Sequence, residues 1–176
     1  MRSMDGRWLM IVLRLVHILG GLFWVGSAAI LTWFLFPAQR AAGAGGGSVM
    51  QEIMGRRRLG MWMGIAAVAT LLSGFALYGR NAALSNGSWP SSPTGIGYGI
   101  GALAALLGLG LGMGIGGPMG RRLQRLGATL GASAGPPDQS VVREMARLQR
   151  RSTLVMRLAV VLLLVAAATM ATARYW

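Results

Sequence analysis

The sequence predicts an all-α membrane protein: four transmembrane helices in an antiparallel up-down bundle, with helical extensions on the cytoplasmic side. Three observations carry that expectation. Of the 176 residues, 54% are hydrophobic and only 12% charged, more apolar surface than one soluble core of this size can hide. Four stretches each hold roughly 20 mostly apolar residues, the length of helix that crosses a hydrocarbon layer about 30 Å thick. None of them alternates in polarity as barrel strands do, and in lipid only helices or closed barrels satisfy their own backbone. Residues 1–176 therefore read as a single integral membrane domain with spans at about 8–36, 59–78, 96–115 and 154–173.

The first span carries the most informative face of the chain. Arg2 and Arg7 ahead of an apolar run, with small residues at Gly26-Ser27-Ala28-Ala29, also fit a signal peptide; the expectation is that the segment is kept as a span. Within it, Arg14, His17, Gly21, Trp24 and Ala28 recur at spacings of three and four and so share one side of a helix. Ionisable groups inside a span are costly and usually face the bundle. In a functional reading, neutral His17 ligates a haem iron or a copper ion while Arg14, one turn away, pairs with a haem propionate or another anion. His17 is the only histidine, so a second protein ligand would have to be a methionine such as Met63, Met113 or Met156. In the structural reading, which is favoured, His17 bonds to a Ser, Thr or backbone carbonyl of a neighbouring helix and Arg14 snorkels to the interface.

The first connection, 37–58, contains Ala41-Ala42-Gly43-Ala44-Gly45-Gly46-Gly47, expected to be flexible. Ser48-Val49-Met50-Gln51 follows and reads as a capping box that starts the second helix early. The outer connection, Asn81 to Thr94, is short and rich in Ser, Gly and Pro; its Asn86-Gly87-Ser88 matches a glycosylation acceptor.

Glycines crowd the third span. Gly108, Gly112 and Gly116 form one stripe four residues apart, and Gly110 and Gly114 form an offset stripe, the spacing that lets helices approach closely in lipid. With Gly21 on the first helix these are the expected packing positions. Glycine on more than one face calls for close neighbours on more than one side, which a partner protein or a flat prosthetic group such as haem or a chlorophyll-type pigment would supply. The run is not a strand-to-helix turn, so a dinucleotide fingerprint is dismissed.

In the second connection, 116–153, Gly135-Pro136-Pro137-Asp138 breaks the chain. From Val141 to Arg151, Val141, Met145 and Leu148 line one face and Arg143, Arg147 and Arg150 the other, an amphipathic extension of the fourth helix. Arg143, Arg147, Arg150 and Arg151 offer a surface to anionic membrane lipids or to a partner's acidic face, set against an ordinary face obeying the charge rule.

Charge also sets orientation. The net charge of +13 arises from 17 arginines with no lysine. Arg2, Arg7, Arg80 and Arg174 fall on one side. Arg40, Arg56, Arg57, Arg58, Arg121, Arg122, Arg125, Arg143, Arg147, Arg150 and Arg151 fall on the other, with Arg14 and Arg157 inside spans. Positive charge retained in the cytoplasm places both long connections there and both termini outside, in a bacterial-type inner membrane, plasma or intracytoplasmic. Topology explains the basic balance, so no nucleic-acid partner is expected.

Several function classes fall away. Without cysteine there is no thiolate metal site and no iron–sulfur cluster of ordinary ligation. All four acidic residues, Asp5, Glu52, Asp138 and Glu144, lie outside the spans, leaving no intramembrane carboxylate to relay protons or hold Na⁺. His17 has no nearby acid to make a hydrolytic triad. The 12 methionines are scattered rather than paired on successive helices, which speaks for packing over soft-metal transport.

The string Arg14-Leu15-Val16-His17-Ile18-Leu19-Gly20-Gly21-Leu22-Phe23-Trp24-Val25-Gly26 resembles the opening helix of the broad copper-resistance protein D group of small membrane proteins. Arg56-Arg57-Arg58 leading into a span that ends Leu72-Ser73-Gly74-Phe75-Ala76-Leu77 is similar to that pattern too. The resemblance covers about half the chain and implies a four-helix membrane unit associated with a metal or haem, with His17 as the ligand. The related membrane protoporphyrinogen oxidases combine a histidine with a lysine, which this chain lacks. The leading expectation is a non-catalytic accessory subunit packed against other membrane-protein subunits, with a haem- or copper-binding protein centred on His17 as the alternative.

Overall fold

The computed structural model describes residues 2–132 and 138–176. Among the described residues, 94% are helical and no strand occurs. Four helices are long and apolar enough to cross a membrane: Gly6–Ala41, Leu59–Leu84, Pro93–Gly131 and Gln139–Tyr175. Each contains one of the four expected spans and extends beyond it.

The first begins as α1 (Arg2–Ile30), passes through a π-helical turn at Leu31–Leu35 and continues as α2 (Phe36–Ala41). The chain then reverses at Gly43, whose φ of +57° favours a residue without a side chain. It folds back as α3 (Gly43–Gln51), packed so closely on α2 that a Cβ at Gly46 would have no room beside the Gln39 backbone. Two expectations are corrected here. The Gly43 to Gly47 stretch is helical, with close backbone packing at Gly46 that only glycine permits set against a poor helix propensity of about 1 kcal/mol per residue. Ser48 does not cap the second span, since its hydroxyl donates to the Gly45 carbonyl at 2.8 Å inside α3. After a π-helical turn at Glu52–Arg56, the second long helix, α4 (Leu59–Leu84), starts behind Arg58, which sits in the left-handed region.

A turn at Asn86 and Gly87 and a short 3-10 turn at Trp89–Ser91 lead to Ser92, whose hydroxyl accepts the Gly95 N–H at 3.1 Å and caps α5 (Pro93–Leu109). A π-helical segment, Gly110–Gly116, joins it without a break to α6 (Gly117–Ala132). The wide turns just before Pro118 accommodate its missing N–H, so the helix does not stop near Ile115. In α6, Leu123, Leu126 and Leu130 are half-buried while Arg121, Arg122 and Arg125 are exposed, and Arg122 pairs with Glu144. The Gly135 to Pro137 part of the expected chain break lies outside the described residues. Asp138 accepts the Ser140 N–H at 2.8 Å and caps α7 (Gln139–Thr172). On α7, Val141, Met145 and Leu148 are half-buried and Arg143, Arg147 and Arg150 exposed.

The long helices associate as two pairs, α1 with α4 and α5 with α7. Contacts in each pair run in opposite order along the two helices. Arg80 Nη1 reaches the Gly6 carbonyl at 3.5 Å, and His17 lies at Thr70. Gly97 lies against Ala173, and Gly108 against Leu163. The pairs meet at a cluster of Trp24, Ala28, Ala67, Val160 and Leu163, and Ala104, Ala105 and Ala166 form a second buried cluster. Most of the buried apolar side chains are alanines, whereas Leu22 and Leu72 are 71% and 66% exposed. Small residues inside and large ones outside reverse the arrangement of a water-soluble core.

Candidate functional site

The heptad-like face of α1 divides along its length. Trp24 and Ala28 are buried, His17 and Gly21 are half-buried against α4, and Arg14 is exposed, with no hydrogen bond or ion pair to any described residue. His17 Nδ1 stands 2.8 Å from the Thr70 carbonyl oxygen. A carbonyl only accepts, so Nδ1 carries a hydrogen, and in the neutral form of the ring the lone pair lies on Nε2. Nε2 has no hydrogen-bond partner among the described residues.

Residues Thr70, Ser73 and Gly74, three and four apart on α4, build the other wall. The Ser73 hydroxyl lies 2.6 Å from the Ala69 carbonyl and 3.1 Å from that of Thr70. A Cβ on Gly74 would come within 2.8 Å of His17 Cε1 and 3.0 Å of Nδ1, so the imidazole rests on bare backbone there. Likewise a Cβ on Gly20 would stand 2.7 Å from Thr70 Oγ1, and one on Gly21 3.5 Å from Thr70 Cγ2. Two hydroxyls, those of Thr70 and Thr32, are buried without a hydrogen-bond partner among the described residues.

Chemically this is an imidazole oriented through Nδ1 by a backbone carbonyl with Nε2 left without a partner, the second-sphere pattern of metal-ligating histidines. The donor set around it is thin. No group of three or more His, Asp, Glu or Cys side chains gathers among the described residues. Of the methionines raised as second ligands, Met63 packs on the Trp24 cluster, Met156 lies against Gly116, and Met113 is 57% exposed. A metal or haem here would be held from this chain by His17 alone, with Arg14 free to meet an anionic substituent.

The glycines of the third helix divide into packed and open positions. Added Cβ atoms at Gly101, Gly108 and Gly116 would meet Met170 at 2.7 Å, Leu163 at 3.0 Å and Met156 at 2.6 Å, so this face is pressed against α7. At Gly110, Gly112 and Gly114 nothing lies within 4 Å, so Gly112, expected in one stripe with Gly108 and Gly116, is open where they are packed. Arg143, Arg147, Arg150 and Arg151 project from α7; Arg143 Nε donates to the Gln139 carbonyl at 3.2 Å. Near the opposite end, Trp89 packs edge-on against Tyr78 with ring centroids 5.0 Å apart and stacks on Tyr98 at 5.9 Å, the amphipathic ring cluster expected at a membrane–water boundary.

Sequence reasoning had singled out His17 without its partner. The clue lay in the second span, where Thr70, Ser73 and Gly74 interrupt an otherwise apolar run at helical spacing. No family model, no curated protein and no solved structure matches this chain.

Proposed function

We propose that the protein is an integral membrane, non-catalytic accessory subunit that packs against a larger membrane complex of the respiratory or photosynthetic kind. In this reading its four helices form an antiparallel up-down bundle in a bacterial-type inner membrane, with both termini outside the cytoplasm and both long connections within it. The observation that carries the reading is the set of open glycines on the third helix. Gly110, Gly112 and Gly114 present bare backbone with no neighbour within 4 Å. A glycine in a helix costs about 1 kcal/mol against alanine, and lipid tails gain nothing from it. Close approach by another helix does. The outward-facing leucines and inward-facing alanines support the membrane placement, and the uneven distribution of arginines supports the orientation.

The test is Gly112→Leu and Gly114→Leu, followed by mild-detergent extraction of native membranes. The reading expects both variants to accumulate in the membrane with unchanged thermal stability and to lose co-migration with the complex. Retained co-migration would contradict it.

A second reading is favoured by one specific observation, the unpartnered Nε2 of a ring whose Nδ1 is already fixed by Thr70. In it His17 ligates a haem iron or copper ion, in line with the resemblance of the opening helix to the copper-resistance protein D group. A stoichiometric Soret band or bound copper in the purified chain, lost in His17→Ala, would establish it; absence of both would remove it.

A further inference from the structure

Arg40, at the end of α2, meets α7 about where its most apolar stretch begins. Its Nη2 donates to Thr153 Oγ1 at 2.9 Å, and the Thr153 hydroxyl donates in turn to the Gln149 carbonyl at 2.8 Å. Around this joint opens a cleft of about 340 Å³ lined by Arg40, Gln149, Arg150, Thr153, Leu154 and Arg157. We propose that the cleft binds the headgroup phosphate of a doubly charged anionic phospholipid.

The charge inventory points to an anion. Glu52 pairs with Arg56 and Arg57, Glu144 pairs with Arg122, and Asp138 caps α7. Asp5 belongs to the opposite end of the first helix, on the order of 50 Å away along the axis. Arg40, Arg150 and Arg157 therefore converge on one cleft with no carboxylate to neutralise them. Three guanidinium groups repel one another, and each offers a planar fork of donors matched to phosphate oxygens. A doubly charged headgroup compensates them better than a singly charged one. Thr153 holds Arg40 in place, so part of the site is organised before the ligand arrives.

The surroundings favour lipid over a phosphate-bearing solute. Leu154, one wall of the cleft, is 73% exposed, and Leu158, one turn on, is 52% exposed. They continue the same side of α7 into its apolar stretch, where acyl chains would lie. Arg157 falls within that stretch, a costly position for a charge unless an anion at the headgroup level meets it. The inference rests on the membrane placement but not on a protein partner.

The test is native mass spectrometry and a thermal-shift titration of the full chain, purified in a zwitterionic detergent. The probes are cardiolipin, phosphatidylglycerol, phosphatidylcholine and inorganic pyrophosphate. Cardiolipin should bind at one molecule per chain and raise the melting temperature more than phosphatidylglycerol, with phosphatidylcholine inert. Arg40→Ala, Arg150→Ala and Arg157→Ala should each weaken binding roughly tenfold, the size expected for a lost charge-assisted hydrogen bond. Arg40→Lys, which keeps the charge and loses the fork, should fall between. Arg143→Ala and Arg174→Ala, outside the cleft and about a Debye length or more from it along the helix, should stay within about twofold because the separation screens them. Equal losses at all five positions would reduce the effect to general surface charge and overturn the site. Pyrophosphate binding as tightly as cardiolipin would overturn the lipid assignment. Failure of the chain to partition into membranes would instead overturn the placement beneath both proposals.

Discussion

His17 and Thr70 are joined by a 2.8 Å hydrogen bond from ring nitrogen to backbone carbonyl, and this bond ties α1 to α4 midway along both helices. A polar link between apolar helices is worth about 0.6 kcal/mol on average and up to about 1.7 kcal/mol. His17→Leu, which is close to the imidazole in volume and removes the donor, should lower unfolding stability in mixed micelles by about 1 kcal/mol. An unchanged midpoint would show that the bond contributes nothing.

Gly74→Ala should be worse than the loss of the bond itself. The new methyl group would stand 2.8 Å from His17 Cε1 and force the imidazole off α4, an overpacking cost of about 1–3 kcal/mol. Gly64→Ala, on the same helix with nothing within 4 Å, should be neutral or slightly stabilising through helix propensity. Measuring the two side by side separates packing from propensity.

Between α5 and α7 the decisive positions are Gly101 and Gly108. A Cβ at Gly108 would meet Leu163 at 3.0 Å and the Ala159 carbonyl oxygen at 3.1 Å, and backbone cannot move aside as a flexible side chain can. Gly108→Leu should destabilise the free chain by more than about 2 kcal/mol, whereas Gly112→Leu should leave the free chain unchanged. Comparable melting temperatures for the two variants would contradict the division into packed and open glycine positions.

Asp138 provides a pH-dependent element outside the spans. Its carboxyl is held below its ordinary value of 3.8, first by the Ser140 side chain and then by the Ser140 N–H. With the folded value depressed, the unfolded chain binds more protons across the interval, so stability rises with pH there. The cap is therefore intact at neutral pH and is lost on acidification through that interval. A carboxyl titration followed by NMR should give a midpoint below 3.8, and Asp138→Asn should abolish the pH dependence of order in the first turn of α7.

The orientation can be checked with fusions. A reporter placed after Trp176 should report the non-cytoplasmic side, and one inserted between α6 and α7 the cytoplasm. The reverse pattern would refute the reading of the arginine distribution.

Hydropathy made the four long helices legible, because an apolar run of about 20 residues has few other structural outcomes. Periodicity likewise showed the face of Val141, Met145 and Leu148, since solvent on one side and packing on the other leave a helical repeat. What stayed hidden depends on tertiary matching. Nothing local says that Gly46 will lie on Gln39 and fold the Gly43 to Gly47 stretch into α3. Nor does local sequence say that the third helix runs through Pro118 into α6. His17 was visible as a costly group needing a partner, and Thr70, Ser73 and Gly74 mark the face of the second span that receives it, but which backbone carbonyl accepts has no sequence signature. The same holds for the arginine cleft: Arg150, Thr153 and Arg157 share a face by spacing, yet Arg40 arrives from a segment more than a hundred residues earlier.

The central claim is that this chain works as part of a larger membrane assembly, and the most direct measurement is its size and company on gentle extraction. Native membranes would be solubilised in mild detergent, separated by size, and each fraction given an absorption spectrum and a mass-spectrometric inventory. The account predicts stoichiometric co-migration with a large complex, lost in Gly112→Leu. A free monomer in every fraction would contradict it, and haem or copper on that monomer would move the function to His17.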